Sequence, residues 1–246
     1  LTTNGVFLSS QAQALRSAGL SRITVSMDTL RPERFVKLTR LDSHRAVLAG
    51  IDAAIEAGFD NIKLDTVVIR GVNDDELSDL IDYGREHHLE VRFIEYMDVG
   101  GATQWSNEAV VSRREMLSTL SEKYGPITPV KKLNSAPADR FTFPDGTIFG
   151  IISSTTQPFC RSCDRSRLTA DGIWYLCLYA HSGTDLRKSL REGASIGDLQ
   201  DQITSVWKER VDRGAEMRLA EVQREPLIPV RRLREEPHLE MHTRGG

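Results

Sequence analysis

The chain has 246 residues, a formal charge of −3 and a pI near 6.1, and 39% of its side chains are hydrophobic. This length suits one large α/β domain or two unequal domains, and the near-neutral charge argues against a general nucleic-acid surface. No apolar run approaches the roughly 18 residues that a membrane-spanning helix needs, and no signal-peptide pattern opens the chain. The composition therefore predicts a soluble, cytoplasmic protein with neither a membrane nor a nucleic-acid partner.

Residues 1–98 alternate β-rich runs with amphipathic helical stretches. The predicted elements are strands over 22–27, 62–69 and 90–95 and helices over 44–57 and 74–88. This order predicts a parallel sheet, in either a barrel or a doubly wound fold. The opening Leu1-Thr-Thr-Asn-Gly5 resembles the end of a strand and does not begin with Met. We therefore expect a fragment that begins inside a domain.

Two predicted helices carry a capping signal in the first turn. Asn73 is followed three residues later by Glu76, and Ser112 by Glu115. In a capping box the first side chain accepts a hydrogen bond from the backbone of the acidic residue, whose carboxylate reaches back. We expect both pairs to fix the starts of their helices.

The organisation changes at about Gly100, where a Gly-Gly pair resembles a linker. The predicted elements after it are a helix over 113–124, a hairpin over 140–149 turning at Asp145-Gly146, a second hairpin over 168–178 turning at Asp171-Gly172, and helices over 185–191 and 196–213. After Glu225 the sequence is rich in Pro, Arg and Glu, which is typical of a tail.

The three cysteines, Cys160, Cys163 and Cys177, fall within 18 residues of one another. An odd, clustered set fits a metal site better than a disulfide framework. The spacing C-x2-C-x13-C puts two thiols on one loop, and the hairpin can return the third to them. Three interpretations stay open: a [4Fe-4S] cluster with one open iron, a zinc site completed by His181, and reduced structural thiols.

Two arginines follow the second cysteine directly. On an extended segment Arg165 and Arg167 face the same side. Paired guanidinium groups can grip a polyphosphate through several charge-assisted hydrogen bonds, next to a cluster that binds the other end of the ligand. The alternative is a pair of arginines on a solvated strand face.

The segment from Phe159 to Gly172, ending at Cys177-Leu178, resembles the C-terminal cluster motif of GTP 3',8-cyclases, radical-SAM enzymes that begin molybdenum cofactor biosynthesis. Other segments resemble that family in the same order: Leu1-Thr-Thr-Asn-Gly5, Val25-Ser-Met-Asp28, Gly71-Val-Asn-Asp74, Arg92-Phe-Ile-Glu-Tyr-Met-Asp-Val-Gly100 and the terminal Gly245-Gly246. The resemblance covers essentially the whole chain.

The resemblance implies an α/β fold with three parts. These are a partial (β/α) radical-SAM barrel of TIM type over 1–100, a C-terminal α+β cluster domain over 101–225 and a tail over 226–246. It also implies a C-terminal [4Fe-4S] cluster on the three cysteines, S-adenosylmethionine as cofactor and GTP as substrate. The implied product is 3',8-cyclo-7,8-dihydro-GTP.

The resemblance assigns roles to residues at matching positions. Those implied to bind GTP are Thr2, Lys63, Arg165, Ser166 and Arg167; those implied to contact S-adenosylmethionine are Ser26 and Met97; and those implied in productive chemistry are Arg165, Arg167, Gly245 and Gly246. Each has a simpler alternative. Lys63 could pair with Asp65 inside the barrel, Ser26 could cap a strand end, Met97 could pack in a core, and the terminal glycines could fray.

One departure from the family concerns its first cluster. That cluster is held by a C-x3-C-x2-C motif, which these 246 residues do not contain. We therefore expect a substrate-binding half that cannot start the radical reaction alone and is inactive in isolation. The resemblance also implies a homodimer and a downstream cyclic pyranopterin monophosphate synthase. Two rival functions are a zinc-stapled module without catalysis and another radical-SAM enzyme with an auxiliary cluster.

Overall fold

The computed structural model describes residues 1–99, 104–221, 224, 226–236, 239, 240 and 243. The chain forms two compact units. The first contains Leu1–Tyr96 and Ala109–Thr156, and the second contains Met97–Glu108 and Gln157–Gly246. Within the described ranges, no helix combines the length and the apolar character needed to cross a membrane.

The first unit is built from seven strands and five helices. They are β1 (Thr2–Thr3), α1 (Leu8–Ser17), β2 (Ile23–Ser26), α2 (Pro32–Thr39), α3 (His44–Glu56), β3 (Ile62–Val68), α4 (Leu77–Glu86), β4 (Glu90–Glu95), α5 (Arg113–Tyr124), β5 (Thr128–Pro129), β6 (Asp139–Thr142) and β7 (Ile148–Ile152). The predicted strands and helices of this unit are confirmed to within a few residues. The sequence predicts neither α1 nor α2, although Pro32 at the first turn of α2 is a recognisable start signal.

The strands form one open sheet in the order β1-β2-β3-β4-β7-β6-β5. The first five are parallel, and β6 and β5 are added antiparallel through the hairpin at Gly146. Along β3 the residues from Ile62 to Val68 alternate between buried and partly exposed. Lys63 and Asp65 therefore share the less buried face, as the sequence predicts.

A single hydrophobic core lies between the helices and one face of this sheet. It joins buried residues of the strands, such as Leu64 and Phe93, to those of the helices, such as Ile51, Leu80 and Met116. In a doubly wound sheet both faces would be covered by helices. Burial on one face only does not fit the doubly wound alternative and is consistent with part of a (β/α) barrel.

The observed division of the chain differs from the predicted boundary near residue 100. Residues 109–156 belong to the first unit, because β7 pairs in parallel with β4 and carries β6 and β5 with it. Arg92, Phe93 and Ile94 are the partners of β7 residues in this pairing. The first hairpin thus completes the sheet of the first unit rather than opening the second.

The two predicted capping boxes have different outcomes. Ser112 accepts from Glu115 N at 3.4 Å, and Glu115 Oε2 accepts from Ser112 N at 2.9 Å, so the second box is confirmed. The Asn73 box is wrong, because Asn73 makes no cap hydrogen bond. Its Nδ2 donates instead to Asp28 O at 2.7 Å and Val67 O at 2.8 Å. Glu76 accepts from Thr29 and Leu30, so both side chains join neighbouring strand ends.

Asp28 lies just beyond β2, and its carboxylate accepts a hydrogen bond from Val67 N at 2.8 Å. Burial raises the pKa of Asp28 to about 6, although the bond to Val67 opposes the rise. Between pH 4 and pH 6 the folded protein therefore holds a proton that the unfolded chain has lost, so its stability falls as the pH rises. Asp28→Asn has no carboxyl to ionise and so lacks this loss. We expect the unfolding free energy of the variant minus that of wild type to be about 1 to 3 kcal/mol larger at pH 7.5 than at pH 4.

The measurement is urea unfolding of the wild-type and variant proteins at pH values from 4 to 8, followed by far-UV circular dichroism. Asp60→Asn is the control, because the Asp60 side chain is 80% exposed. A stability difference between Asp28→Asn and wild type that does not change with pH would refute the assignment.

The second unit is assembled from short elements. They are a 3₁₀ turn (Cys160–Ser162), β8 (Arg167–Leu168), β9 (Ile173–Tyr175), β10 (Thr184–Asp185), α6 (Leu186–Arg191), α7 (Ile196–Lys208), α8 (Gly214–Leu219) and α9 (Val230–Glu235). The three strands form an antiparallel sheet in the order β10-β9-β8. The hairpin at Asp171-Gly172 is confirmed. The predicted helix over 196–213 is wrong in its end, since α7 stops at Lys208 and α8 begins at Gly214.

The predicted tail contains ordered structure within the described residues. Beyond Glu225, α9 forms and the side chains of Ile228, Leu233 and Leu239 pack together in a small hydrophobic cluster. These three apolar residues are spaced among charged ones, so composition alone classes the segment as a tail. Gly245 and Gly246 lie outside the described residues.

Candidate functional site

The three cysteines gather in one part of the second unit. Cys160 opens the 3₁₀ turn, and Cys163 N donates to Cys160 O at 3.2 Å. Cys177 follows β9. Cys160 and Cys177 pack with Val99 and Tyr179 in one hydrophobic cluster. All three thiols are free and partly buried.

Hydrogen-bond donors surround two of the sulfur atoms. At Cys163, burial is outweighed by the Arg165 N–H and by the guanidinium groups of Arg210 and Arg165, which together lower the thiol pKa. Arg210 Nη2 lies 3.7 Å and Arg165 Nη2 lies 3.8 Å from this sulfur. At Cys160, burial raises the pKa, and the backbone N–H groups of Glu216 and Ala215 partly oppose the rise.

The first residue of α8 approaches the third cysteine closely. A Cβ atom at Gly214 would lie 2.4 Å from Tyr179 Cβ and 3.2 Å from Cys177 Sγ. Only glycine therefore allows α8 to begin at this position. Three thiols, with N–H donors to two of them and a glycine beside the third, are a donor set that fits an iron–sulfur cluster.

The zinc alternative has less support in the structure. His181 Nδ1 lies 3.4 Å from Arg232 Nη1, a cationic neighbour that a zinc ligand would not share. Throughout the part of the chain that the structure describes, no three Cys, His, Asp or Glu side chains are already close enough to hold a metal ion. This observation applies to the iron–sulfur interpretation as much as to the zinc interpretation, so only the neighbour of His181 distinguishes them.

Arg165 and Arg167 share the less exposed side of their segment with Cys163, whereas Ser166 is exposed on the other side. This alternation confirms the predicted facing of the two arginines and separates Ser166 from them. The Arg165 guanidinium stacks 5.0 Å from the centre of the Phe159 ring. Its Nε is buried without a hydrogen-bond partner among the described residues, so it can still donate to an anion.

The remaining GTP candidates lie in the first unit, in one row across the sheet. Thr2 pairs with Thr24, Thr24 with Lys63, and Lys63 with Glu90. Neighbouring strands are about 4.8 Å apart, which places Thr2 about 10 Å from Lys63. Among the described residues Lys63 makes no ion pair with Asp65. The two side chains interact only at longer range, where each charge favours the ionised form of the other.

Lys63 lines a cavity of about 550 Å³ in the first unit. Its charged lining residues are Arg22, Lys63, Glu90, Arg92, Lys131, Lys132 and Arg140. Glu90 is bound to Arg92 at 2.8 Å and to Arg140 at 2.9 Å, and Lys132 pairs with Asp139 at 2.9 Å, so two carboxylates pair with three of the six cations. Burial, followed by the charge of Arg92, lowers the pKa of Lys63. A polyphosphate would relieve this excess of positive charge.

Sequence reasoning missed Arg92 as a candidate. A signal was present, because Glu90, Arg92 and Ile94 alternate along β4 with the buried Val91 and Phe93. This alternation places Arg92 on the same face as Lys63. Its charge on an inward face marks it as a candidate for anion binding.

The two S-adenosylmethionine candidates are placed in different units. Ser26 is the last residue of β2 and is exposed, in register with Asp65 and Arg92 on the following strands. Met97 belongs to the second unit and packs against the cluster that contains Cys160 and Cys177. The packing role is therefore observed for Met97, and the cofactor role stays a prediction.

Comparison with family models assigns both parts of the chain. Residues 1–84 match the Radical SAM superfamily, and residues 89–216 match Molybdenum Cofactor Synthesis C. GTP 3',8-cyclase 3 of Mycobacterium bovis is 60% identical over the whole chain, which covers 65% of that protein. GTP 3',8-cyclase 1 of Mycobacterium tuberculosis is 56% identical, with 68% covered, and the enzyme of Aquifex aeolicus is 40% identical, with 71% covered.

The chain thus spans about two thirds of the length of these relatives, and its own full length is matched in each of them. The matched segments include the cysteines, the paired arginines and the strands that carry Thr2, Ser26 and Lys63. The resemblance noted in the sequence is confirmed: the chain belongs to the GTP 3',8-cyclase family of radical-SAM enzymes.

Proposed function

We propose that the chain forms the substrate-binding part of a GTP 3',8-cyclase. The reaction is the conversion of GTP to 3',8-cyclo-7,8-dihydro-GTP by S-adenosylmethionine radical chemistry, as the first step of molybdenum cofactor biosynthesis. The observation that carries the proposal is the pair of partly buried arginines beside Cys163, one of which lies 3.8 Å from its sulfur. This arrangement puts cations for a triphosphate next to a thiol suited to a cluster.

Cys160, Cys163 and Cys177 would hold a [4Fe-4S] cluster, which with three thiolate ligands leaves one iron open to a substrate atom. The donors at Cys160 and Cys163 stabilise thiolate ligands. Arg165 and Arg167 would bind the nucleotide phosphates through charge-assisted hydrogen bonds. Their role is to fix GTP in one orientation, which restricts the reaction to a single pair of atoms.

Within the first unit, Lys63 and Arg92 are the cationic residues that we assign to GTP. The excess of positive charge in their cavity supports this role, and Thr2 lies in the same row as Lys63. Ser26 lies at the carboxyl end of a parallel strand, where barrel enzymes bind their ligands, and we assign it to S-adenosylmethionine. Met97 is assigned to the same cofactor from the family resemblance alone. Radical generation is assigned to a C-x3-C-x2-C cluster that these residues do not supply. The homodimer, the downstream synthase and the role of Gly245 and Gly246 remain predictions from the family.

The test is GTP binding by the anaerobically reconstituted chain and by its Arg165→Ala and Arg167→Ala variants. A hydrogen bond to a charged group contributes about 1.5 to 3 kcal/mol, so each variant should bind GTP roughly 10- to 100-fold more weakly. Iron content should stay at the wild-type value, because neither side chain is a ligand. Equilibrium dialysis gives the affinity, and iron analysis gives the cluster content.

Arg161→Ala is the matched control, because Arg161 lies between Cys160 and Cys163 and its side chain is exposed. It should bind GTP as wild type does. Unchanged affinity in both test variants would defeat the assigned role. Tight stoichiometric zinc in place of iron would favour the non-catalytic module.

A further inference from the structure

Arg210 lies just beyond α7, and its guanidinium is directed at Cys163. Nη1 donates to Cys163 O at 3.1 Å, and Nη2 lies 3.7 Å from Cys163 Sγ. The Arg210 side chain is only 11% exposed. A nearly buried cation is thus held on both the backbone and the sulfur of one cysteine, 47 residues earlier in the sequence.

Aromatic stacking fixes the position of this guanidinium. Its central carbon lies 4.8 Å from the centre of the Trp207 ring. Trp207 is in turn stacked on Trp174 of β9, with ring centres 6.3 Å apart and an angle of 20° between planes. Asp212 contributes a weaker contact, at 3.9 Å from Nε. The face of the guanidinium is therefore occupied by the indole, and its edge is left to hydrogen-bond Cys163.

We propose that Arg210 is a positioning residue that holds Cys163 as a ligand and sets the reduction potential of the cluster. This inference rests on the proposed function. A cationic N–H donor withdraws electron density from a thiolate and favours the reduced, more negative cluster. Arg165 approaches the same sulfur, but its role is assigned to GTP. Arg210 differs from Arg165 in that it also donates to Cys163 O, so it holds the backbone of this cysteine as well as its sulfur.

The experiment compares the reconstituted chain with its Arg210→Gln, Arg210→Lys and Lys208→Gln variants. The measurements are iron per chain and the midpoint potential from an EPR-monitored redox titration. We expect Arg210→Gln to retain iron and to have a midpoint potential about 59 mV lower than wild type. This shift is about a tenfold smaller equilibrium constant for one-electron reduction of the cluster. Arg210→Lys keeps the charge but not the planar fork, so its potential should fall between the two.

Lys208→Gln is the matched control, because it removes the same charge from the exposed end of α7. Its potential should equal that of wild type. A wild-type potential in Arg210→Gln at full iron content overturns the inference and leaves the proposed function standing. If Arg210→Gln loses iron, its potential cannot be compared, and Arg210→Lys becomes the test. A wild-type potential in Arg210→Lys then overturns the inference. A wild-type chain that assembles no cluster overturns both.

Discussion

Replacement of Glu95 by alanine is expected to lower the unfolding free energy of the first unit by about 3 to 5 kcal/mol. The Glu95 side chain is fully buried at the end of β4. Its carboxylate accepts from Arg113 N at 2.9 Å, from Thr155 N at 3.0 Å and from Thr156 N at 2.7 Å. The Thr156 hydroxyl adds a fourth bond at 2.6 Å. Alanine would leave three backbone N–H groups without their acceptor.

The position of this carboxylate explains the size of the effect. Arg113 is the first residue of α5, so its N–H has no partner within the helix. Glu95 supplies that partner and also places a carboxylate at the positive end of the helix dipole. Thr155 and Thr156 follow β7. One side chain therefore ties together the ends of β4 and β7 and the start of α5.

Hydrogen exchange followed by mass spectrometry can localise the change. Peptides that cover 90–96 and 148–156 should lose protection in Glu95→Ala. Glu95→Gln keeps one acceptor oxygen and should lose less stability. Glu86→Ala, at the exposed last residue of α4, is the surface control. Equal protection in Glu95→Ala and Glu86→Ala would contradict the predicted role.

The second large effect is expected for Asp98→Ala in the second unit, again about 3 to 5 kcal/mol. Asp98 accepts from Arg218 Nε at 2.8 Å and from Arg224 Nε and Nη2 at 2.8 and 2.9 Å. The side chains of Asp98, Arg224 and Arg218 are 0, 7 and 13% exposed. Burial opposes ionisation, but the two guanidinium groups hold the pKa of Asp98 below its usual value. Alanine would leave the largely buried Arg224 without its carboxylate partner and Arg218 with Glu221 alone.

Tryptophan fluorescence can report this change selectively, because all three tryptophans, Trp105, Trp174 and Trp207, lie in the second unit. The urea midpoint of the fluorescence transition should fall strongly in Asp98→Ala. It should fall less in Asp98→Asn, which keeps the acceptor atom but not the charge. Asp201→Ala on the exposed face of α7 should match wild type. A wild-type midpoint in Asp98→Ala would show that the arginines find other partners.

The features that the sequence predicts well depend on residues close together in the chain. Alternation along β3 requires only a period of two, and the Ser112 box requires a spacing of three. The cysteine segment is equally local, and it carries the resemblance to the family. The Asn73 box matches the same local pattern but does not form, because the Asn73 side chain donates instead to the carbonyl oxygens of Asp28 and Val67.

The features that the sequence misses depend on contacts between distant residues. Glu95 and Thr156 are 61 residues apart, and Asp98 and Arg224 are 126 apart. No spacing pattern connects such pairs, because only the path of the chain brings them together. The same holds for the pairing of β7 with β4. This pairing places residues 109–156 in the first unit, whereas the sequence predicts that this domain ends near residue 100.

The sequence by itself determined the family, the order of the parallel strands along the chain, the inward face of Lys63 and the three thiols with their paired arginines. Only the tertiary structure decided that one face of the sheet is packed by helices, that Lys63 shares a cationic cavity with Arg92, and that Arg210 is directed at Cys163. The reason is physical. Periodicity and capping act over a few residues, whereas burial, ion pairing and hydrogen bonds to sulfur depend on which distant segments the fold brings into contact.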